Sequence, residues 1–297
     1  MAAGANLATE KASKVPQQKT DTVKEFDFTR RDFERVRALI HGRAGISLAD
    51  SKQEMVYSRL ARRLRATGIQ SFGRYLDDLE AGRMDKEWEA FTNALTTNLT
   101  SFFREAHHFP LLLEHLIAIR KKDTRPLTIW CSAASTGEEP YSIAMTACEA
   151  FNTLTPPVQI VATDIDTNVL ATAANGVYPM ERMDKMSPER LRRFFLKGKG
   201  AHEGMARVRP ELRNLVTFRQ LNLLAEGWPL EGQFDAIFCR NVMIYFDKPT
   251  QRKILDRFVP LMKPHALLFA GHSENFLYVL DSLRLRGKTV YELDARA

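Results

Sequence analysis

The sequence predicts an α/β protein: a mostly parallel sheet with a closing antiparallel hairpin, preceded by a small all-helical domain and interrupted by an insertion of short β-like pieces. Three observations predict it. Apolar residues recur at helical spacing up to about residue 98, and after Leu127 they gather into short β-branched runs alternating with helical segments. A stretch rich in glycine and basic residues, from Lys197 to about Arg209, breaks that alternation. Finally, 297 residues, 44% hydrophobic and 27% charged, fit about two globular domains and exclude collagen-like, low-complexity and mostly disordered classes.

Residues 1–24 hold almost nothing large and apolar and lack the apolar core of a signal peptide, so a disordered tail is expected there. The helical domain is expected over residues 25–96. Phe33, Val36, Leu39 and Ile40 begin a helical face, and Met55, Leu60 and Leu64 continue one. Phe72, Tyr75, Leu76 and Leu79 make a third amphipathic stretch and Trp88, Phe91 and Leu95 a fourth, with breaks at Gly42, Gly68 and Gly82. Residues 97–126 read as a linker and first helix. The larger domain then occupies 127–297. Strands are expected at Leu127–Cys131, Val158–Thr163, Val216–Gln220, Phe234–Cys239 and Ala266–Ala270, and a hairpin over Leu283–Leu293. Pro140, Asp166 or Thr167, and Ser187-Pro188 open helices between them, and Gly176 stops one. No stretch approaches 18 uninterrupted apolar residues, so no membrane insertion is expected.

The formal net charge is +7, compatible with nucleic acid, an anionic surface or an acidic protein partner. Twelve Lys/Arg against six Asp/Glu lie between Lys24 and Tyr75, which puts most of the excess in the helical domain. Three scattered cysteines, Cys131, Cys148 and Cys239, make no disulfide framework, and no Cys/His spacing suits a metal. They read as buried thiols in a reducing cytoplasm, and no metal is expected.

In open parallel sheets ligands bind beyond the C-terminal strand ends. The first strand runs into Ser132-Ala133-Ala134-Ser135-Thr136-Gly137-Glu138-Glu139-Pro140, a turn of small residues opening a helix. One glycine does not make the G-x-G-x-x-G run that a pyrophosphate needs. The second strand ends at Asp164, which either takes two ribose hydroxyls or caps the next helix. Ribose without phosphate suits S-adenosylmethionine (AdoMet). The fourth strand ends in Cys239-Arg240-Asn241-Val242-Met243-Ile244-Tyr245-Phe246, polar and aromatic groups without the Asn/Asp-Pro-Pro-aromatic run of many amine methylators. That leans toward an oxygen nucleophile.

Six runs in order carry a specific resemblance: Thr97 to Glu105 (TNLTSFFRE), Ala133 to Ser142 (AASTGEEPYS), Asp164-Ile165-Asp166, Asn222-Leu223-Leu224, Phe234 to Phe246, and Leu268 to Glu274 (LFAGHSE). Over about residues 26–295 the chain resembles the CheR family of chemotaxis receptor methyltransferases. The resemblance implies a Rossmann-like class I AdoMet-dependent methyltransferase domain behind the helical one, with a small β-subdomain inserted at about 180–215, forming glutamate γ-methyl esters on cytoplasmic chemoreceptor helices, with S-adenosylhomocysteine as product. Carried over by motif, Asn98, Thr100 and Arg104 contact the cofactor from the linker, Glu139 its methionine or sugar end, and Asp164 its ribose. Asn222, Leu223, Arg240 and Asn241 line the rest, and Arg104 and Tyr245 are the catalytic residues beside the reacting methyl. Glu138 competes with Glu139, its neighbour.

Lys52, Arg59 and Arg63, with Arg62 beside them, share one helical face by spacing. With the resemblance, that face becomes a docking stripe for an acidic receptor helix. The insertion, with Gly198, Gly200, Gly204 and Arg207, resembles the β-subdomain loop with which some members hold a pentapeptide at the receptor C-terminus. A cytoplasmic monomer that binds no nucleic acid is expected. Two alternatives stand beside this reading: a nucleic-acid methyltransferase, suggested by charge, and a non-catalytic AdoMet-binding signalling module.

Overall fold

The computed structural model describes residues 24–277 and 279–294. The expected tail therefore lies, except for Lys24, outside the described residues. Helices α1 (Arg30–Ala44), α2 (Gln53–Thr67), α3 (Phe72–Glu80) and α4 (Glu87–Leu95) form the first unit. Local chemistry sets their ends. Thr29 and Asp32 make a reciprocal capping box at the start of α1, and Gly45 and Gly68 end α1 and α2 in the left-handed conformation. Phe33, Val36, Ile40, Val56, Leu60, Leu64, Phe72 and Phe91 are wholly buried in the bundle core, each worth roughly 1.5–3 kcal/mol of hydrophobic transfer.

After α5 (His108–Arg120), the chain alternates as β1 (Leu127–Cys131), α6 (Glu138–Ala150), β2 (Val158–Asp164) and α7 (Thr167–Asn175). The insertion follows: β3 (Val177–Pro179), α8 (Pro188–Phe194), β4 (Phe195–Lys197), β5 (Met205–Val208) and the single turn α9 (Pro210–Arg213). The main sheet resumes with β6 (Val216–Gln220), β7 (Phe234–Cys239), α10 (Lys248–Phe258), β8 (Met262–Ala270), β9 (Leu283–Gly287) and β10 (Val290–Leu293). The seven strands lie in the order β6-β2-β1-β7-β8-β10-β9, the first five mutually parallel and β10 antiparallel to both β8 and β9.

All six residues of β7 are buried, as a central parallel strand covered on both faces requires. Phe238 stacks on Phe269 on one face, and Trp130 packs on Phe234 and Phe258 on the other. The expected strands are present, with β8 starting four residues earlier than its apolar run because Met262 pairs with Phe234 across a register shift. The inserted sheet, β3-β5-β4, begins at Val177.

Candidate active site

The C-terminal ends of β1, β2 and β7 face the helical domain across a cavity of about 340 Å³. Asn98, Thr100, Arg104, Glu139, Asp164, Asn222, Leu223, Arg240, Asn241 and Tyr245 all line it. Its other wall, from Ile46, Ser47, Leu48, Lys52 and Met55, belongs to the helical domain, and no signal in the local sequence pointed to that.

The turn after β1 is shaped by close packing. Gly137 has φ +98°, and a Cβ there would fall 2.7 Å from the Tyr178 hydroxyl and 2.8 Å from Ala173. The glycine thus lets the turn pass under the β-subdomain. Asp164 is nearly buried at the end of β2, its carboxylate accepting from the backbone amides of Ser135 at 2.8 Å and Asp166 at 3.0 Å. Burial pushes its carboxyl up to about 6, against those amides. Asp166 is the helix cap, accepting from Asn168 and Val169 with one oxygen. Its other oxygen takes Thr96 Oγ1 at 2.7 Å and Asn98 Nδ2 at 2.8 Å, which ties the linker to α7.

Adjacent residues on α6 diverge. Glu138 is fully buried and turned toward the β-subdomain, where Thr136 and Arg182 donate to it at 2.6 and 2.5 Å. Glu139 lines the cavity and pairs with Arg240 at 2.6 Å. Burial raises the Glu139 carboxyl and Arg240 lowers it, with burial prevailing. Arg240 also reaches Glu105 at 3.2 Å and donates to the carbonyl of Arg104 at 2.5 Å, while its Nε is buried without a partner among the described residues. Burial and Arg240 together hold His108 down to about 4, so it is neutral at pH 7. Glu105, given no role from sequence, also accepts from Asn241 Nδ2 at 3.2 Å. Burial acts to raise its carboxyl, but the His272 amide, Arg240 and Asn241 outweigh that and leave it below the usual range.

The linker is held open toward the cavity. Arg104 donates to the carbonyl of Leu99 at 2.8 Å, Phe103 donates its amide to Ser142 at 2.9 Å, and Phe102 packs edge-on against Tyr178. Ser47 donates its amide to the Tyr245 carbonyl at 3.0 Å, bringing the helical domain onto the β7 turn. Asn222 lines the cavity, but its side chain is engaged with the Arg43 carbonyl and the Leu224 amide, so it serves the domain seam.

A family model described as CheR methyltransferase, SAM binding domain, matches residues 98–291, and one described as CheR methyltransferase, all-alpha domain, matches residues 31–96. The chain belongs to the CheR methyltransferase family. It is 56% identical over 261 residues to a chemotaxis protein methyltransferase of Salmonella typhimurium, covering 88% of this chain and 89% of the relative. It is 55% identical to that of Escherichia coli K12, covering 88% and 90%. With chemotaxis protein methyltransferase 2 of Pseudomonas aeruginosa it shares 56% identity, covering 90% and 94%.

The CheR domain is thus an AdoMet-binding methyltransferase domain, and its cavity fits that ligand. Asp164 offers a buried carboxylate for a diol, Leu223 an apolar wall, and the Glu139–Arg240 pair a desolvated charge cluster. Among the described residues no group of three or more His, Cys, Asp or Glu could hold a metal, and no helix is long and apolar enough to cross a membrane.

The basic face of this CheR chain differs from its helical projection. Arg63 forms a two-point pair with Glu87, both bonds 2.8 Å, and Tyr75 donates to the same carboxylate. Arg59 donates to the carbonyls of Ala94 (3.2 Å) and Thr96, anchoring the linker. The expected open stripe is therefore corrected: α2 packs against α4, so these two guanidiniums serve the fold, while Arg62 and Lys52 stay exposed. In the insertion Gly198 donates its amide to Met205 at 2.9 Å and has no room for a Cβ beside His202, whereas Gly200 and Gly204, exposed and at positive φ, have open space around them. Arg207 is exposed on β5, the central strand, and β4 is one of the sheet's two edges, the other being β3.

Proposed function

We propose that this CheR methyltransferase is a cytoplasmic protein-glutamate O-methyltransferase, acting as a monomer on glutamate side chains of chemoreceptor cytoplasmic helices to give γ-methyl esters. The observation that carries the reading is the convergence of Arg104 and Tyr245 on one cavity from two separate segments. The relatives' name, chemotaxis protein methyltransferase, supports it. Bound AdoMet supplies an electrophilic sulfonium methyl and leaves as S-adenosylhomocysteine.

The chain's residues divide the remaining work. Asp164 would hold the ribose hydroxyls, Leu223 the base, and Glu139, Arg240, Asn98, Thr100 and Asn241 the amino-acid end and its surroundings. An acceptor glutamate has a reference pKa of about 4.3 and is already ionised at pH 7, so no general base is required. Arg104 orients that carboxylate with its guanidinium fork, and the Tyr245 hydroxyl donates to the same group. Burial of the acceptor carboxylate in the cavity between the two domains would remove water from the nucleophile. Positioning then carries the rate.

Receptor docking uses Arg62 and Lys52, the cations left exposed, with Arg207 and the free edge of β4 serving a C-terminal receptor peptide by strand addition. The deciding test is tritiated AdoMet with receptor cytoplasmic fragments, scoring methanol released by base. Base-labile label at glutamate is expected. Label in RNA would replace this reading with a nucleic-acid methyltransferase, and AdoMet binding without transfer would leave a signalling module.

A further inference from the structure

The turn Asn241 to Tyr245 leaves the sheet after β7 with little regular structure of its own, a single 3-10 turn over Met243–Tyr245, and Asn241 is left-handed at φ +59°. It nevertheless presents Asn241 and Tyr245 to the cavity. What holds it comes from the segment that follows β8, the neighbouring strand. The Glu274 carboxylate, 4% exposed, accepts from the amides of Asn241 at 2.9 Å and Gly271 at 2.5 Å with Oε2, and from Met243 at 2.8 Å with Oε1. The amide of Glu274 in turn donates to the Gly271 carbonyl at 2.9 Å, closing a tight loop that keeps the carboxylate aimed at the turn. Gly271 makes the approach possible: a Cβ there would stand 2.8 Å from the Asn241 amide nitrogen and 2.8 Å from Glu274 Oε2.

Glu274 does not line the cavity. Its effect passes through the backbone. Asn241 extends the connection by donating to Glu105, which pairs with Arg240, whose guanidinium also binds the carbonyl of Arg104. Both segments bearing the proposed transfer residues thus converge on one hydrogen-bonded network. We propose that Glu274 is the positioning residue of methyl transfer, fixing the Asn241–Tyr245 turn so that Tyr245 stays in register with Arg104. The proposal rests on the placement of these two at the transfer site. A displacement near 1 Å costs about a hundredfold in such a site.

The test uses the full chain with Glu274→Gln, which keeps the volume but turns an NH2 group toward backbone amides, and Gly271→Ala, whose Cβ crowds both Asn241 and the Glu274 carboxylate while keeping the carboxylate's charge. Both variants are expected to lower kcat at least thirtyfold with acceptor KM within threefold, and to raise the AdoMet Kd at least fivefold through Asn241. Amide exchange at residues 241–243 should quicken at least tenfold while β7 and β8 keep their protection. Wild-type kcat in either folded variant overturns the proposal, as does faster exchange shared equally by β7 and β8, which marks a merely structural role. If wild type transfers no methyl to receptor glutamates, the acceptor reading fails. Exchange and AdoMet affinity in Glu274→Gln then still decide the clamp, and unchanged values overturn it.

Discussion

Arg240 and Glu139 meet at 2.6 Å with the arginine side chain wholly removed from solvent. The pair joins the end of β7 to the first turn of α6, and Glu105 adds a second carboxylate on the same guanidinium at 3.2 Å. A buried charge is tolerated when its partners are in place, and removing one partner costs about 3–5 kcal/mol.

Arg240→Met is therefore expected to destabilise the protein by about 3–5 kcal/mol, because Glu139 and Glu105 are left together without their counter-charge. Urea unfolding at pH 7 measures this. A loss below 1 kcal/mol would mean that water already reaches the pair.

Arg104→Ala and Tyr245→Phe should each lower turnover by about a hundredfold, a usual cost of deleting one preorganised donor, while AdoMet affinity changes less. Calorimetry and single-turnover esterification on the same preparations separate the two effects. A variant retaining the full esterification rate would lose its place in the proposed catalytic pair.

The Asp164 carboxyl is pushed up to about 6 by burial, so its proposed contact with the ribose predicts a pH dependence of AdoMet binding. Ribose hydroxyls donate to the ionised form, so binding favours loss of the proton and strengthens as pH rises through 6. At pH 5 the Kd should be about tenfold weaker than at pH 7.5, since roughly one molecule in ten then carries the charged form. Asp164→Asn should bind weakly and flatten the profile. A tenfold dependence that survives this substitution would assign the titration to another group.

The arginines of α2 should split into two classes. Arg63→Ala removes a charge-assisted pair with Glu87, a loss of about 1.5–3 kcal/mol in stability. Arg62→Glu, on an exposed side chain, should leave the melting temperature unchanged and raise the receptor KM severalfold at low salt, with the difference shrinking as salt is added. An unchanged KM at low salt would remove Arg62 from the docking surface.

Element order and type were legible in the chain because they rest on local physics: apolar spacing, caps such as Asp166 and Ser187, and β-branched runs between them. The strand-end rule led from those elements to Asp164 and the Arg240–Tyr245 segment without any contact being known. The resemblance added the linker residues Asn98 to Arg104. Side-chain partnership was not legible. Glu138 and Glu139 are interchangeable as neighbours in a sequence, yet about 100° of helical rotation sends one to Arg182 and the other to Arg240. Arg59 and Arg63 looked free on a helical projection because their acceptors, at Ala94, Thr96 and Glu87, lie 24 to 37 residues away in sequence. The helical domain's wall of the cavity and the Glu274 clamp were hidden for the same reason. Local periodicity records which face of an element is apolar, whereas the choice of partner for each buried polar group is made only when distant elements pack and every desolvated donor or acceptor must find its complement.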